Sequence, residues 1–488
     1  MSEAKNFLGL TVIPIAVLFG IVATTASRRL RDLAFFFFIV LVVITQHLDV
    51  NFVSREWYRG TTRGFEFSSV DILSLSVLFS SLLRPHPGQP RWYWPPSFGF
   101  ILVYFLYCCF SVATSDPQLF GLFELSKILR GMVVFLAAAL YVRTERELRI
   151  LIAALAIAVC WQGLDALYQR YHDGAYRVEG LIGDPNSLSM YLCMCCPVLV
   201  AAVTADLPKP LKWLASVAML LGAIGVILSI SRTGVATLLF VMLGATLACM
   251  SLQFTAKKAI VSFVVVCVAL GILGKAWHTI ESRYQAASLD EEYNGKGQGR
   301  GYYLRLARAI AQDRFFGVGL NNWSYWVSNE YGPQQGWRFV PYIGTEHWPS
   351  DVVPPGRNLD AAQAAPAHNL GALVVGELGL PGLFLFTLLW VRWFQMGASF
   401  LLPRLSDPMR RLGIGFFFAC WGIWLQSLTE WVYRQTAIFF TFHVILGALA
   451  SLYWLKREEK RAPATEHWEE EEDALALEND PTLAAHRT

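Results

Sequence analysis

Apolar runs long enough to cross a lipid bilayer recur along most of this chain. A membrane-spanning helix needs roughly 17–25 mainly apolar residues, and it satisfies its own backbone hydrogen bonds inside the bilayer. The predicted spans are 8–26, 33–50, 69–83, 98–115, 119–142, 150–169, 187–205, 212–230, 235–252, 259–276, 369–394, 412–430 and 437–455. The run 69–83 is short and the run 119–142 carries three charged residues. We therefore expect an all-α polytopic membrane protein with about 12–14 transmembrane helices.

The composition agrees with this class. Charged residues make up 16% of the 488 residues, against about 25% in soluble domains. The net charge of +3 is too small to suggest nucleic acid as a partner, so a lipid bilayer is the expected surrounding. All nine cysteines fall inside predicted spans, where they act as small buried apolar groups. We therefore expect neither a disulfide framework nor a metal site.

Lys and Arg in the connecting loops predict the orientation of the chain. One set of loops, and the start of the C-terminal tail, is rich in these residues and is expected to face the cytoplasm. The chain then divides into N-terminal transmembrane helices (1–276), a large, partly helical outer loop (277–367), C-terminal transmembrane helices (368–455) and a cytoplasmic tail (456–488). The tail is polar and acidic, which predicts disorder.

The outer loop 277–367 is too long and too aromatic to be a simple connector. Loops of more than about fifteen residues usually have a role, and this one carries fifteen aromatic side chains. Aromatic faces can stack on the C–H faces of sugar rings; the alternative is that these side chains form the core of the loop and an interfacial belt. We expect both roles for different residues, and Trp323 is a candidate substrate contact.

Arg232 lies at the outer turn of the apolar hairpin 212–252, within the segment Ser229-Ile230-Ser231-Arg232-Thr233-Gly234. A guanidinium group keeps its charge and is costly in lipid, so it should be paired or face a polar cavity. This position predicts a polar site at the outer membrane surface.

Arg300 and Arg305 lie in a segment of the outer loop that reads as an amphipathic helix, followed by the turn Phe316-Gly317-Val318-Gly319. Arginine clusters bind phosphates through pairs of parallel donors. Together with Arg232, these two arginines predict a lipid-diphosphate ligand on the outer face.

His368 and Asn369 end the polar loop and open an apolar helix, and Asn369 is a candidate substrate contact. An imidazole can accept a proton near neutral pH, so His368 is the candidate general base. The alternative is an interfacial histidine that caps the helix with Asn369. His347 is the rival base, but it lies among Pro and Gly residues with no helix to hold it.

These motifs together resemble the O-antigen ligase and O-antigen polymerase superfamily of bacterial membrane glycosyltransferases. The family pattern runs Ser-x-Ser-Arg-x-Gly at a hairpin tip, an Arg-bearing helix before a Phe-Gly-x-Gly-like turn, and His-Asn-x-x-Leu at the start of the next helix. Here those segments are 229–234, 300–319 and 368–373, within a resemblance that covers about 211–390. Upstream, Glu179 to Asn186 also resembles a family segment on the outer face, which makes Asn186 a candidate substrate contact.

The resemblance implies a metal-independent enzyme without a cofactor. It would transfer a glycan from an undecaprenyl-diphosphate carrier to an acceptor hydroxyl at the periplasmic face of the inner membrane. Arg232 and one loop arginine, Arg300 or Arg305, would hold the diphosphate, and His368 would act on the acceptor. The acceptor hydroxyl belongs to lipid A-core, to a growing O-antigen or exopolysaccharide glycan, or to a protein. These acceptors correspond to a ligase, a repeat-unit polymerase and a protein O-oligosaccharyltransferase, and the sequence does not separate them.

Charged residues inside the predicted spans allow two interpretations. Glu124, Lys127 and Arg130 fall on roughly one helix face. We favour a structural ion-pair cluster; the alternative is that Lys127 and Arg130 line the groove for the carrier. Glu377 and Glu430 are expected to be hydrogen-bonded packing groups rather than catalysts.

A different functional class is also open, namely a transporter or flippase of lipid-linked sugars. Such a protein would need many helices, intramembrane charges and a cationic cavity as well. It would not need a long aromatic loop that ends in a histidine, and it usually shows a repeat between its halves.

Overall fold

The computed structural model describes residues 7–44, 49–55, 57–86, 89–249, 274, 299–337, 339–340, 363–401 and 408–479. The predicted span 259–276, the start of the outer loop and the rival base His347 lie outside these described residues, apart from the single position 274. Helices dominate the described ranges. One short antiparallel hairpin, formed by β1 (Val50–Phe52) and β2 (Phe65–Phe67), pairs Asn51 with Glu66.

The longer described helices are labelled α1 to α13 in chain order. They are α1 (Ile13–Ala26), α2 (Arg28–Leu41), α3 (Ser69–Leu83), α4 (Phe98–Ala113), α5 (Gln118–Tyr141), α6 (Glu145–Tyr171), α7 (Pro185–Thr204), α8 (Lys209–Leu228), α9 (Arg232–Cys249), α10 (Arg300–Asp313), α11 (Leu370–Ala398), α12 (Pro408–Ser427) and α13 (Thr436–Asn479). Short helical turns between Trp323 and Gln334 follow α10. Each predicted span within the described ranges overlaps one of these helices, which confirms the all-α class.

Six helices in the described part of the chain are long and apolar enough to cross a membrane. They are α6, α7, α8, α9, α11 and the Thr436–Glu459 part of α13, while α1, α3 and α4 are apolar but shorter. The chain is therefore a multi-pass membrane protein. In the structure α13 continues to Asn479. The disorder expected for the tail 456–488 stays a prediction. Glu, Ala and Leu, which are frequent in this segment, are strong helix formers.

α7 lies at the centre of the helical array. In its 18-residue apolar stretch, 89% of the residues are buried, and the helix packs against α8, α9 and α12. In the corresponding stretches of α8 and α9, only 33% of the residues are buried. Their outward faces expose large apolar side chains, among them Trp213, Leu239, Leu243 and Leu247. This hairpin therefore faces lipid, whereas α7 forms the core beneath it.

Side-chain caps fix where three of the helices begin. The Asp184 carboxylate accepts a hydrogen bond from the Ser187 amide (2.8 Å) at the start of α7. The Asn369 side-chain oxygen accepts one from the Ala372 amide (2.8 Å) at the start of α11. The Ser231 hydroxyl accepts one from the Gly234 amide (3.3 Å) at the start of α9. Each cap satisfies a backbone donor that would otherwise lack a partner in the first helical turn.

α11 is broken at Gly379, which has a φ of +67°, a value that glycine adopts without a steric cost. Pro381 follows and has no N–H to donate to the carbonyl of Glu377, four residues earlier. The helix therefore contains carbonyl groups that need donors from elsewhere in the chain.

The turn after α10 supplies those donors. The Val318 amide donates to the carbonyl of Gly376 (2.9 Å), and the Gly319 amide donates to the carbonyl of Glu377 (2.8 Å). In the opposite direction, the Leu380 amide donates to the carbonyl of Phe315 (3.2 Å). The Phe-Gly-x-Gly turn thus joins α10 to the break in α11, and α10 also packs directly on α11. Arg300 and His368 are consequently carried by one connected unit.

Candidate functional site

The N-terminal ends of four helices, α7, α9, α10 and α11, meet around a cavity of about 220 Å³. The residues that line it are Arg177, Asn186, Ile230, Ser231, Arg232, Thr233, Gly299, Arg300, Tyr303, His368 and Glu430. A helix N-terminus carries a partial positive charge because its first N–H groups have no partner within the helix. The backbone therefore adds to the positive charge of the three arginine side chains, and the cavity is suited to an anion.

Glu430 pairs with His368 at the edge of this cavity. Glu430 lies in the loop between α12 and α13, and its carboxylate oxygen is 2.8 Å from Nδ1 of His368. The Glu430 side chain is buried, whereas 39% of the His368 side chain is exposed. An ionised carboxylate only accepts hydrogen bonds, so Nδ1–H of His368 donates and the lone pair of the neutral ring is on Nε2. This arrangement suits a general base.

The same carboxylate contacts two further predicted site residues. Nη2 of Arg300 lies 3.4 Å from Oε1 of Glu430, and the side-chain amide of Asn186 donates to that oxygen at 3.1 Å. Nε of Arg300 also donates to the carbonyl of Thr429 (3.2 Å). Glu430 therefore brings together the base, the loop arginine and Asn186.

Sequence reasoning missed this position of Glu430, which was expected to be a packing group. A signal was present, because Glu430 is the last residue of the predicted span 412–430, at the end expected to face the same side of the membrane as His368. Sequence alone did not bring the two residues together, since they are separated by sixty-two positions.

Tyr303 packs beside the His368 ring, and Asn369 holds the start of α11 in place. The Tyr303 ring centroid is 5.4 Å from that of His368, with the two planes at 56°. Burial raises the pKa of Tyr303 to about 12, so the phenol is neutral at physiological pH. Asn369 caps α11 and also donates to the carbonyl of Leu428 (2.7 Å), which ties the start of α11 to the loop that carries Glu430. Asn369, a predicted substrate contact, thus acts as the predicted helix cap in the structure.

The turn between α8 and α9 contributes Arg232 and a strained backbone. Ile230 has a φ of +52°, which is rare for a β-branched residue, and it lines the cavity. Such outliers concentrate at functional sites, where the surrounding structure holds them. The Thr429 hydroxyl donates to that of Thr233 (3.2 Å), which links this turn to the Glu430 loop.

Arg177 is the third arginine of the cavity, and sequence reasoning did not propose it as a site residue. Its Nε donates to the carbonyl of Ser229 (3.1 Å) and its Nη2 donates to the side-chain oxygen of Asn186 (3.2 Å). Arg177 therefore connects the loop after α6 with the start of α7 and the end of α8. Its place two residues before the predicted outer-face motif, which begins at Glu179, is the signal that could have found it.

The structure does not bring four predicted substrate contacts to this cavity. Arg305 lies on the exposed face of α10, so Arg300 is the loop arginine at the site. Trp323 is buried in the core beneath α10 and donates from its indole N–H to the carbonyl of Ala365 (3.1 Å).

Lys127 and Arg130 instead belong to buried polar clusters. Nζ of Lys127 is 2.8 Å from the carboxylate of Glu124, and it also donates to the Arg434 carbonyl (2.7 Å). Arg130 binds both carboxylate oxygens of Asp71, at 2.7 and 2.8 Å. These contacts favour the structural interpretation of both residues.

Comparison with known families agrees with the sequence motifs. Residues 217–387 match the family described as O-antigen ligase, and this segment contains Arg232, Arg300 and His368. No curated protein matches the chain with significance. The resemblance predicted from the sequence is confirmed, and the match supports a membrane enzyme of the O-antigen ligase superfamily, of ligase or polymerase type.

Proposed function

We propose that this protein transfers a glycan from an undecaprenyl-diphosphate carrier to an acceptor hydroxyl at the periplasmic face of the inner membrane. The single observation that carries the proposal is the juxtaposition in one cavity of Arg232 and Arg300 with the His368–Glu430 pair. The arginines match a diphosphate leaving group, and the histidine matches a hydroxyl nucleophile.

The donor side of the reaction needs charge stabilisation. As the bond between the anomeric carbon and the phosphate oxygen breaks, the electron pair moves to the diphosphate and its charge grows. Guanidinium groups and helix N-termini already aimed at the cavity can stabilise that charge without rearranging in the transition state. In this mechanism Arg232 and Arg300 take the role that a divalent cation has in many other diphosphate-dependent reactions.

The acceptor side needs a base, since a neutral hydroxyl is a poor nucleophile. Nε2 of His368 removes the hydroxyl proton while the acceptor oxygen forms its bond to the anomeric carbon. Glu430 holds the ring in the required tautomer and offsets the positive charge that the ring gains. Attack opposite the leaving group inverts the anomeric centre, and the proton leaves the imidazolium before the next turnover.

The identity of the acceptor is tested by analysing the carrier-linked glycans that accumulate in cells that lack the gene. For an O-antigen ligase, the class we propose first, full-length polymer should accumulate on the carrier and return to normal when wild-type protein is supplied. Single repeat units on the carrier would instead identify a polymerase. Loss of glycosylated protein would identify a protein O-oligosaccharyltransferase.

The mechanism is tested in the same cells by supplying either the wild-type gene or the gene for His368→Ala. Protein with His368→Ala should reach the membrane at the wild-type level and fail to restore the glycan. Full restoration by this variant would contradict the assignment of the base. A transporter would be indicated if the purified protein moved carrier-linked glycan across a bilayer without forming a covalent product.

A further inference from the structure

We propose that Arg177, together with Arg232 at the N-terminus of α9, binds the lipid-proximal phosphate of the carrier, while Arg300 binds the sugar-proximal phosphate. This inference rests on the proposed function and adds an orientation of the carrier in the cavity. It assigns a substrate-binding role to Arg177.

The position of Arg177 is fixed before any ligand binds. Its hydrogen bonds to the Ser229 carbonyl and to Asn186 hold the planar guanidinium at the cavity wall, beside the turn that carries Arg232. An arginine held in this way loses little side-chain freedom on binding an anion. The same wall includes Ser231 and Thr233, whose backbone belongs to the start of α9. Backbone N–H groups at the start of a helix can donate hydrogen bonds to a phosphate.

The sugar end of the carrier must lie next to His368. The bond that breaks joins the anomeric carbon to the nearer phosphate, and the base must reach the hydroxyl that attacks this carbon. Arg300 and His368 contact the two oxygens of one carboxylate, that of Glu430, so Arg300 is the arginine that accompanies the base. The sugar-proximal phosphate is therefore assigned to Arg300.

The lipid end must lie toward the membrane-facing hairpin of α8 and α9. Arg177 and Arg232 both adjoin the tip of this hairpin, because Arg177 donates to Ser229 at the end of α8 and Arg232 begins α9. The outer faces of α8 and α9 expose apolar side chains such as Leu239 and Leu243, which suit a polyprenyl chain. A carrier with its lipid along this hairpin places its first phosphate at Arg177 and Arg232.

The charges of the cavity agree with two bound phosphates. Three arginines and one carboxylate line it, so with neutral His368 the side chains carry two net positive charges. A diphosphate that is esterified at both ends carries one negative charge on each phosphate. Removal of Arg177 would leave a single net positive charge for both phosphates.

Undecaprenyl phosphate tests the assignment, because it has the lipid-proximal phosphate and lacks the second. Binding of this lipid and of undecaprenyl diphosphate would be measured with purified full-length protein in nanodiscs. Arg177→Gln should weaken the binding of both lipids by roughly tenfold or more. Arg300→Gln should weaken diphosphate binding by a similar factor and change monophosphate binding by no more than about twofold.

Arg170→Gln is the matched control. Arg170 lies at the end of α6, where it donates to the carbonyls of Ala175 and Tyr176 (3.0 and 2.9 Å) in the loop that leads to Arg177, and it does not line the cavity. This variant should bind both lipids as the wild type does. A loss equal to that of Arg177→Gln would overturn the proposal, because loop folding would then explain both effects.

Two further results would also overturn it. Wild-type monophosphate binding by Arg177→Gln would remove Arg177 from the lipid-proximal subsite. Selective loss of monophosphate binding in Arg300→Gln would reverse the orientation. Failure of the wild type itself to bind undecaprenyl diphosphate would instead refute the proposed function, so the two failures are distinguishable.

Discussion

Substitution of Glu430 by Gln should slow glycan transfer strongly while leaving donor binding nearly intact. The side chains are of the same size, but the amide can donate from its nitrogen to Nδ1 of His368. The proton would then sit on Nε2, the nitrogen that must accept the proton of the acceptor hydroxyl. The variant therefore retains the geometry of the site and removes the base.

The magnitude follows from the role of the base. A positioned general base contributes about 10²–10⁴-fold to a rate, which corresponds to about 3–5.5 kcal/mol of transition-state stabilisation. We expect kcat to fall within this range. The contact between Arg300 and Glu430 is long, at 3.4 Å, so KM for the donor should change by no more than about threefold.

The assay is transfer by purified protein, with kcat and KM measured separately for the donor. Glu330→Gln is the control, since Glu330 is a half-exposed carboxylate near Arg314 on the outer loop and should tolerate the change. The double variant His368→Ala, Glu430→Gln should be no slower than His368→Ala alone, because the two residues act as a unit. Multiplied losses in the double variant, or a large rise in KM with an unchanged kcat in Glu430→Gln, would refute this reasoning.

Three other changes test separate parts of the account. Arg232→Lys should already reduce transfer at least tenfold in kcat/KM, because an ammonium group cannot form two parallel hydrogen bonds to phosphate; wild-type kinetics would contradict its role. Arg434→Ala should destabilise the protein by about 3–5 kcal/mol, because it leaves Glu377 buried without its ion-pair partner. The measurement is Tm in detergent, where Arg434→Met combined with Glu377→Leu should recover part of the loss and an unchanged Tm in Arg434→Ala would contradict the prediction. Transfer should survive EDTA, since arginines offset the diphosphate charge; loss of activity that Mg²⁺ or Mn²⁺ restores would exclude this mechanism.

Much of the fold was predictable because each crossing of a bilayer requires an apolar run of roughly 17–25 residues. The predicted span 69–83 coincides with α3, and 98–115 differs from α4 by two residues at its end. The break in α11 was harder to predict from the sequence. Gly379 and Pro381 mark an irregularity, but only the structure reveals that the turn after α10 satisfies the freed carbonyls.

The site was predictable where a residue carries its own chemical signal. Arg232, Arg300, His368 and Asn186 were all proposed from sequence, and they line one cavity. Glu430 was not, because an acid at the end of a span has many ordinary packing roles and its partner is sixty-two positions away. Arg305 carries the same charge as Arg300, so sequence alone did not separate an arginine in the first turn of α10 from one on its exposed face.

In the proposed mechanism the cavity catalyses a covalent transfer in which His368 is the base. The most direct measurement combines purified protein in nanodiscs with undecaprenyl-diphosphate-linked glycan and a soluble acceptor, and follows the glycosylated acceptor and the released carrier together. We expect one released carrier for each glycosylated acceptor, with inversion at the anomeric carbon and at least a 10²-fold lower rate for His368→Ala. An unchanged rate in this variant, or a product that retains the anomeric configuration, would contradict the claim.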